Sequence, residues 1–213
     1  MKGNIKKLAV FVIITAIAMF MSVAMASADD HHDHHWKNTI RGEYAVTQML
    51  SAIFSIGGFN LPDLTPKCFT PPAGSPVCLS SVMLVQREGV FTFEKDGTGS
   101  ATLNGSSITV SPPSGSTFTA SFKFDYTMND DGTITITVVP GTFFTNYTSG
   151  PNKGATVQAE GVILTGPISP DGKNINLVGA NMTTLIAPGL PPVENNLFGQ
   201  SSTFLIWQHS EKE

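Results

Sequence analysis

Charge is scarce in this 213-residue chain: Asp, Glu, Lys and Arg make up 13% of it, with no long run of either sign. A protein without a basic face has little to offer nucleic acid or an anionic lipid surface. Cysteine is limited to Cys68 and Cys78, and past Trp36 the one histidine is His209. A Ser-His-Asp triad would have to use that residue, close to the C-terminus. There is no Gly-x-Ser-x-Gly elbow, no Walker loop, no Gly-x-Gly-x-x-Gly and no His-Glu-x-x-His. The chain thus lacks the sequence marks of α/β-hydrolases, P-loop enzymes, dinucleotide-binding enzymes and zinc peptidases. Beyond residue 28 no stretch is long and apolar enough to span a bilayer as a helix.

What is present begins with an export leader. Lys2, Lys6 and Lys7 precede an apolar run from Leu8 to Phe20, followed by Ala24-Met25-Ala26, Ala26-Ser27-Ala28 and Asp29-Asp30. Positive start, apolar core and small residues before a cleavage point are the parts of a secretory signal peptide, here residues 1–28. The competing reading is an uncleaved anchor, since Leu8 to Ala26 approaches the roughly 20 residues a spanning helix needs. The leader holds three of the 12 basic residues and none of the 16 acidic ones, so the mature chain carries a net charge of −7 with His neutral. The expected location is the periplasm or the extracellular space, with no membrane contact after cleavage. In such an oxidising compartment Cys68 and Cys78, flanking a proline-rich segment, read as a disulfide.

Residues 29–40 form a polar tail in which His31, His32, His34 and His35 surround Asp33. Neutral imidazole suits Cu²⁺, Ni²⁺ and Zn²⁺. Cleavage after Ala28 would leave the amine of Asp29 with His31 third in line, a set that wraps Cu²⁺ or Ni²⁺ in a square plane. Cleavage after Ala26 would leave only loose histidine coordination, and the plainer reading is a solvated tail with adventitious metal affinity.

Residues 41–209 read as one domain, followed by a short tail, 210–213. Over Arg41 to Phe59, Ala45, Val46, Met49, Leu50, Ile53 and Ile56 fit a helical stripe, while alternation around Tyr44, Val46 and Gln48 fits a strand. Five prolines between Leu61 and Pro76 mark a loop. From Leu79 onward the pattern is β. Asp96-Gly97, Asp131-Gly132 and Asp171-Gly172 each join two apolar strands, as hairpin turns do. Phe118, Ala120, Phe122, Phe124, Tyr126 and Met128 alternate with polar residues, as do Ile134, Ile136 and Val138. One dry face and one wet face is an antiparallel pattern. The expected fold is all-β, a single meander β-barrel of about 8–10 antiparallel strands, with a β-sandwich as the alternative.

Gly42-Glu43-Tyr44, Phe93–Gly99 (Phe-Glu-Lys-Asp-Gly-Thr-Gly) and Tyr126–Thr133 (Tyr-Thr-Met-Asn-Asp-Asp-Gly-Thr) resemble uncharacterised secreted bacterial proteins of lipocalin-like or allene-oxide-cyclase-like β-barrel type. The resemblance covers roughly Arg41 to Gln208. It departs from true lipocalins, which open on Gly-x-Trp where this chain has Gly42-x-Tyr44, and it carries over no catalytic residue.

Two functions follow as expectations. In the first the protein is a secreted non-enzymatic barrel that either has a structural role or holds a small apolar ligand lined by Phe122, Phe124, Tyr126, Phe143 and Trp207, since a small barrel either fills with side chains or holds one small molecule. In the second it is an allene-oxide-cyclase-like isomerase that uses an inward carboxylate, Glu43 or Glu160, as acid or base. Sequence does not separate a filled interior from a hollow one, and it leaves the oligomeric state open.

Overall fold

The computed structural model describes residues 40–208, apart from Leu61, Ser111 and Pro192, so the leader and the histidine cluster lie outside the described residues. The strands are β1 (Gly42–Ser55), β2 (Phe59–Asn60), β3 (Thr65–Pro66), β4 (Ser80–Phe93), β5 (Thr98–Val110), β6 (Pro113–Met128), β7 (Thr133–Val138), β8 (Phe143–Tyr147), β9 (Thr156–Glu160), β10 (Ile163–Pro167), β11 (Asn174–Ile186) and β12 (Leu197–Trp207). Ten of them make one antiparallel sheet, ordered β10-β7-β6-β5-β4-β1-β12-β11-β9-β8. Further pairings of β10 with β11 and of β6 with β8 bring the sheet round on itself, as in a barrel. The antiparallel all-β class expected from the alternation is the class that forms. β2 and β3 form a separate small hairpin inside the proline-rich segment, which is therefore not wholly irregular.

β6 explains how the ring is built. Its later half pairs with β7, with Phe124 opposite Val138, and its earlier half with β8, with Ser121 opposite Phe144. Two residues of β6, Phe122 and Lys123, thus stand opposite five of the partner segment, 139–143. The excess is a bulge at 139–142, where Pro140 has no N–H to donate. Thr142 secures it, accepting from the Lys123 N–H at 3.1 Å and donating to the Val139 carbonyl at 2.7 Å. β7 and β8 are two halves of one stave, and β9 and β10 of the next. The ring has eight staves in an up-and-down meander.

β1 settles the helix-or-strand question. It pairs along its length with β4 on one side and β12 on the other. Tyr44, Val46, Gln48 and Ala52 are buried, whereas Met49 and Ile53 of the helical stripe are 67% and 40% exposed. Its backbone groups pair with β4 and β12, and a helix in that place would leave the facing edges of those two strands unpaired.

Because the meander alternates direction, all three Asp-Gly turns gather at one end. At each, the aspartate Oδ1 accepts the N–H two residues on: Thr98 at 3.0 Å, Thr133 at 3.1 Å and Lys173 at 3.0 Å. The glycines take φ of 88°, 82° and 71°, where a side chain would strain the backbone. The Tyr44 hydroxyl, buried, donates to the Gly172 carbonyl at 2.8 Å, and Tyr126 donates to Glu94 at 2.6 Å. Burial pushes the Tyr44 phenol up to about 12. Behind these turns the interior is packed with rings. Phe91, Phe93, Phe122, Phe124 and Tyr126 stand 5.2 to 6.5 Å apart between centroids, mostly edge-on or tilted. The Phe124 ring covers Gly99 and that of Phe118 covers Gly105 on β5, so close that a Cβ there would meet the ring at 2.3 and 2.5 Å. Those glycines make the room that bulky neighbours fill.

The other end carries the long connections, residues 56–79 and 187–196. Cys68 and Cys78 are joined in a disulfide there, beside a bridge between Phe69 and Val77. Asn196, 1% exposed, stitches this end together. Its Nδ2 donates to the Leu185 carbonyl at 2.9 Å, its Oδ1 accepts the Leu185 N–H at 2.8 Å, and its own carbonyl accepts the Ser55 N–H at 2.8 Å.

Candidate functional site

Inward-facing residues of β5, β6, β11 and β12 become smaller and more polar about halfway along. On β12 the inner face runs from Leu205 and Thr203 to Ser201 and Gly199; on β11 it runs from Ile175 and Leu177 to Gly179, Asn181 and Thr183. Small and polar residues do not fill the interior as the rings do. A partly enclosed cavity of about 80 Å³ remains in the half away from the Asp-Gly turns. Leu50, Met83, Val85 and Leu185 supply apolar walls; Gln48, Ser107, Thr145, Asn181 and Thr183 supply hydrogen-bonding groups. Gln48, Ser107 and Thr183 are themselves buried.

Arg87 is the charged member of this lining. Its Nη1 donates to Gln48 Oε1 at 2.8 Å, and Gln48 Nε2 donates onward to Thr203 Oγ1 at 2.8 Å. The acceptor end of the Gln48 amide must face the guanidinium, which has only donors. The guanidinium carbon stands 5.7 Å from the centroid of Phe118 and 5.4 Å from that of Phe143, in range for cation–π attraction. Nε is sealed from solvent and has no hydrogen-bond partner. Although the residue as a whole keeps some exposure, the head group is enclosed. Burial pulls its pKa down to about 10, with nearby Tyr147 acting in the opposite direction, so it remains charged at neutral pH. Burial raises the Tyr147 phenol in turn, an effect that Arg87 and a hydrogen bond with Ser107 oppose.

Of the five residues expected to line a ligand site, Phe143 lines the cavity. Phe122 and Phe124 belong to the packed half, each ring engaged with other rings. Tyr126 lies at the Asp-Gly end. Trp207 edges a broad basin outside that end, with Lys173 Nζ 5.9 Å from its ring. The basin is larger, about 1260 Å³, but open to water and lined by charged side chains such as Arg41, Glu43 and Lys95, so the smaller cavity encloses a ligand better. Glu43 and Glu160 correct a further expectation. Both occupy outward positions, Glu43 exposed and Glu160 half-buried beside Gln158, whose Nε2 donates to it at 2.7 Å. Neither carboxylate points into the interior, because Tyr44 and Ala159, their neighbours in the alternation, take the inward positions. The metal candidates His31, His32, His34 and His35 lie outside the described residues. Among the described residues no three His, Cys, Asp or Glu side chains gather to hold a metal.

Arg87 carries no mark of its own in the sequence, and Gln48 figures there only in the alternation that reads as a strand, although strand alternation turns both inward. Phe93 and Phe91 set the inner register of β4, and stepping back by twos through Gly89 reaches Arg87. Tyr44 and Val46 lead in the same way to Gln48.

No family model, curated protein or solved structure matches this chain.

Proposed function

We propose that this is an exported protein that binds a small molecule in the hollow half of its ring and catalyses no reaction on it. One observation carries the reading: the inner faces of several long staves turn smaller and more polar halfway along and leave a walled space. Interiors normally close to near-crystalline density, and a cavity kept open beside packed aromatics is the usual place for a ligand. An engineered cavity of about 150 Å³ accommodates benzene. At about 80 Å³ the enclosed part takes a few non-hydrogen atoms, and a longer ligand would extend towards the opening. The isomerase reading draws no support from the outward Glu43 and Glu160. The disulfide accords with export, and among the described residues no helix is long and apolar enough to cross a membrane. Methyl NMR of the mature protein titrated with straight-chain alcohols and carboxylic acids tests the proposal. Shifts should concentrate on Leu50, Val85 and Leu185; no response from any lining methyl to either series would overturn it.

A further inference from the structure

A guanidinium inside a protein is ordinarily matched by a carboxylate, because an unpaired buried charge is costly. Arg87 departs from that rule. Among the described residues its one hydrogen-bond acceptor is an amide oxygen, two aromatic faces flank it with the Tyr147 phenol nearby, its Nε has no acceptor, and no described carboxylate acts on its titration. Gln48 and the rings hold the fork in place without neutralising it. Gln48 is held in turn by Thr203, which is 0% exposed, so the arrangement is fixed before anything binds. A preformed cation with spare donors, opening on apolar walls and hydroxyls, is complementary to one kind of molecule: an anionic head on an apolar tail.

We infer that Arg87 is the anion-recognising group of this cavity and that the ligand is a short-chain monocarboxylic acid. The carboxylate would take the free donors of the guanidinium, with Thr145 and Asn181 among the cavity's polar groups, and the tail would lie along Leu50, Met83 and Val85. A planar carboxylate suits the planar fork, and a single charge matches the single charge waiting for it. A doubly charged phosphate would be left with an uncompensated charge in a mostly apolar space. The inference rests on the small-molecule reading above and narrows it to a chemical class.

Calorimetry with the mature, oxidised protein separates the two. The probes are straight-chain carboxylates of increasing length, alcohols of the same lengths and inorganic phosphate, against wild type, Arg87→Met and Arg87→Lys. Acids should bind wild type at least tenfold more tightly than matched alcohols, with affinity rising over the first few carbons. Arg87→Met should abolish the preference for acids while still admitting alcohols. It should melt no lower than wild type, because it removes an uncompensated charge. Arg87→Lys should restore part of the preference, since it keeps the charge and loses the fork. Equal binding of acids and alcohols, or an acid preference that survives in Arg87→Met, would overturn the role of Arg87 and leave the small-molecule reading standing. Phosphate binding as tight as that of the best acid would overturn the monocarboxylate assignment. Failure of every organic probe to bind would overturn both readings. Should Arg87→Met not fold, Arg87→Lys decides: undiminished acid preference in that variant counts against the recognition by a fork.

Discussion

Along β6 the inner face reads Tyr126, Phe124, Phe122 towards the Asp-Gly turns and Phe118, Ser116, Ser114 towards the opposite end. β5 repeats the change: Ala101 and Leu103 in the first half, Gly105 and Ser107 in the second. The ladder is continuous through both halves, so backbone pairing alone does not distinguish them. Side-chain volume and polarity do. One half is a ring-packed core that fixes the register and carries the hydrophobic stabilisation. The other relies on hydrogen bonds such as those of Asn196 and keeps its centre open. A single sheet can thus hold a packed core and a cavity side by side through what its inward positions carry.

The largest expected consequence lies in the packed half. Phe124 is 1% exposed and touches Phe91, Phe93, Phe122 and Tyr126 by ring contacts. Phe124→Ala should cost about 3–5 kcal/mol in urea unfolding, from lost burial and the cavity left behind. A cost below about 1 kcal/mol would mean that this half is not the core proposed here.

The loop end should respond less. Replacing Cys68 and Cys78 together with serine reopens a loop spanning a sequence separation of 10. The expected loss is roughly 2–3 kcal/mol on the chain-entropy argument. Amide exchange should quicken in residues 56–79 while the slow amides of the Phe91–Phe124 region remain slow. Uniform quickening would show that the two halves unfold as one unit and would blunt the contrast between them.

One substitution made in both halves sharpens the comparison further. Ala101 is 2% exposed among rings; Ala159 is 8% exposed and lines the cavity. Ala101→Leu should destabilise by about 1–3 kcal/mol, as overpacking does. Ala159→Leu enters free space, so its effect should stay within about 1 kcal/mol of zero, and it should weaken any ligand. Equal costs would mean that the cavity is not available volume.

Much of this organisation was legible in the sequence, for reasons specific to strands. Alternation has a period of two, so Phe118 to Met128 and Ile134 to Val138 declared their inner faces directly, and Asp-Gly declared its turns. The Cys68–Cys78 pairing followed from compartment and count. β1 was ambiguous because Met49 and Ile53 are apolar yet exposed, which lends it a false helical stripe; only its pairing with β4 and β12 resolves the choice. Of the rings expected to line a cavity, Phe143 does so, while Phe122 and Phe124 lie where the interior is full. A cavity is written instead in serine, glycine, threonine and alanine at inward positions, and in one arginine in register with phenylalanines. Glu43 and Glu160 fall at outward positions because their neighbours Tyr44 and Ala159 hold the inward register.

The smallest effect concerns acid and the turns that close the packed half. Asp96, Asp131 and Asp171 are each held below the ordinary aspartate value of 3.8, chiefly by the side-chain hydrogen bonds from Thr98, Thr133 and Ser169 and then by the backbone N–H groups of Thr98, Thr133 and Lys173. The native state therefore prefers the charged form more than the unfolded chain does. Their contribution is complete above the unfolded value and is lost as pH falls through the lower native values. All three sites are fully exposed, so water screens the effect and it is modest. Melting temperature should decline as pH is lowered from about 5 to 2, and it should decline less in the triple variant Asp96→Asn, Asp131→Asn, Asp171→Asn, whose amides still accept the N–H bonds without titrating. Amide exchange should place the acid-induced loosening at residues 94–98, 129–133 and 169–173, beside the packed rings, with the cavity end unaffected. An acid response centred on the cavity end, or one that the triple variant leaves unchanged, would detach these carboxylates from the stability of the end they cap.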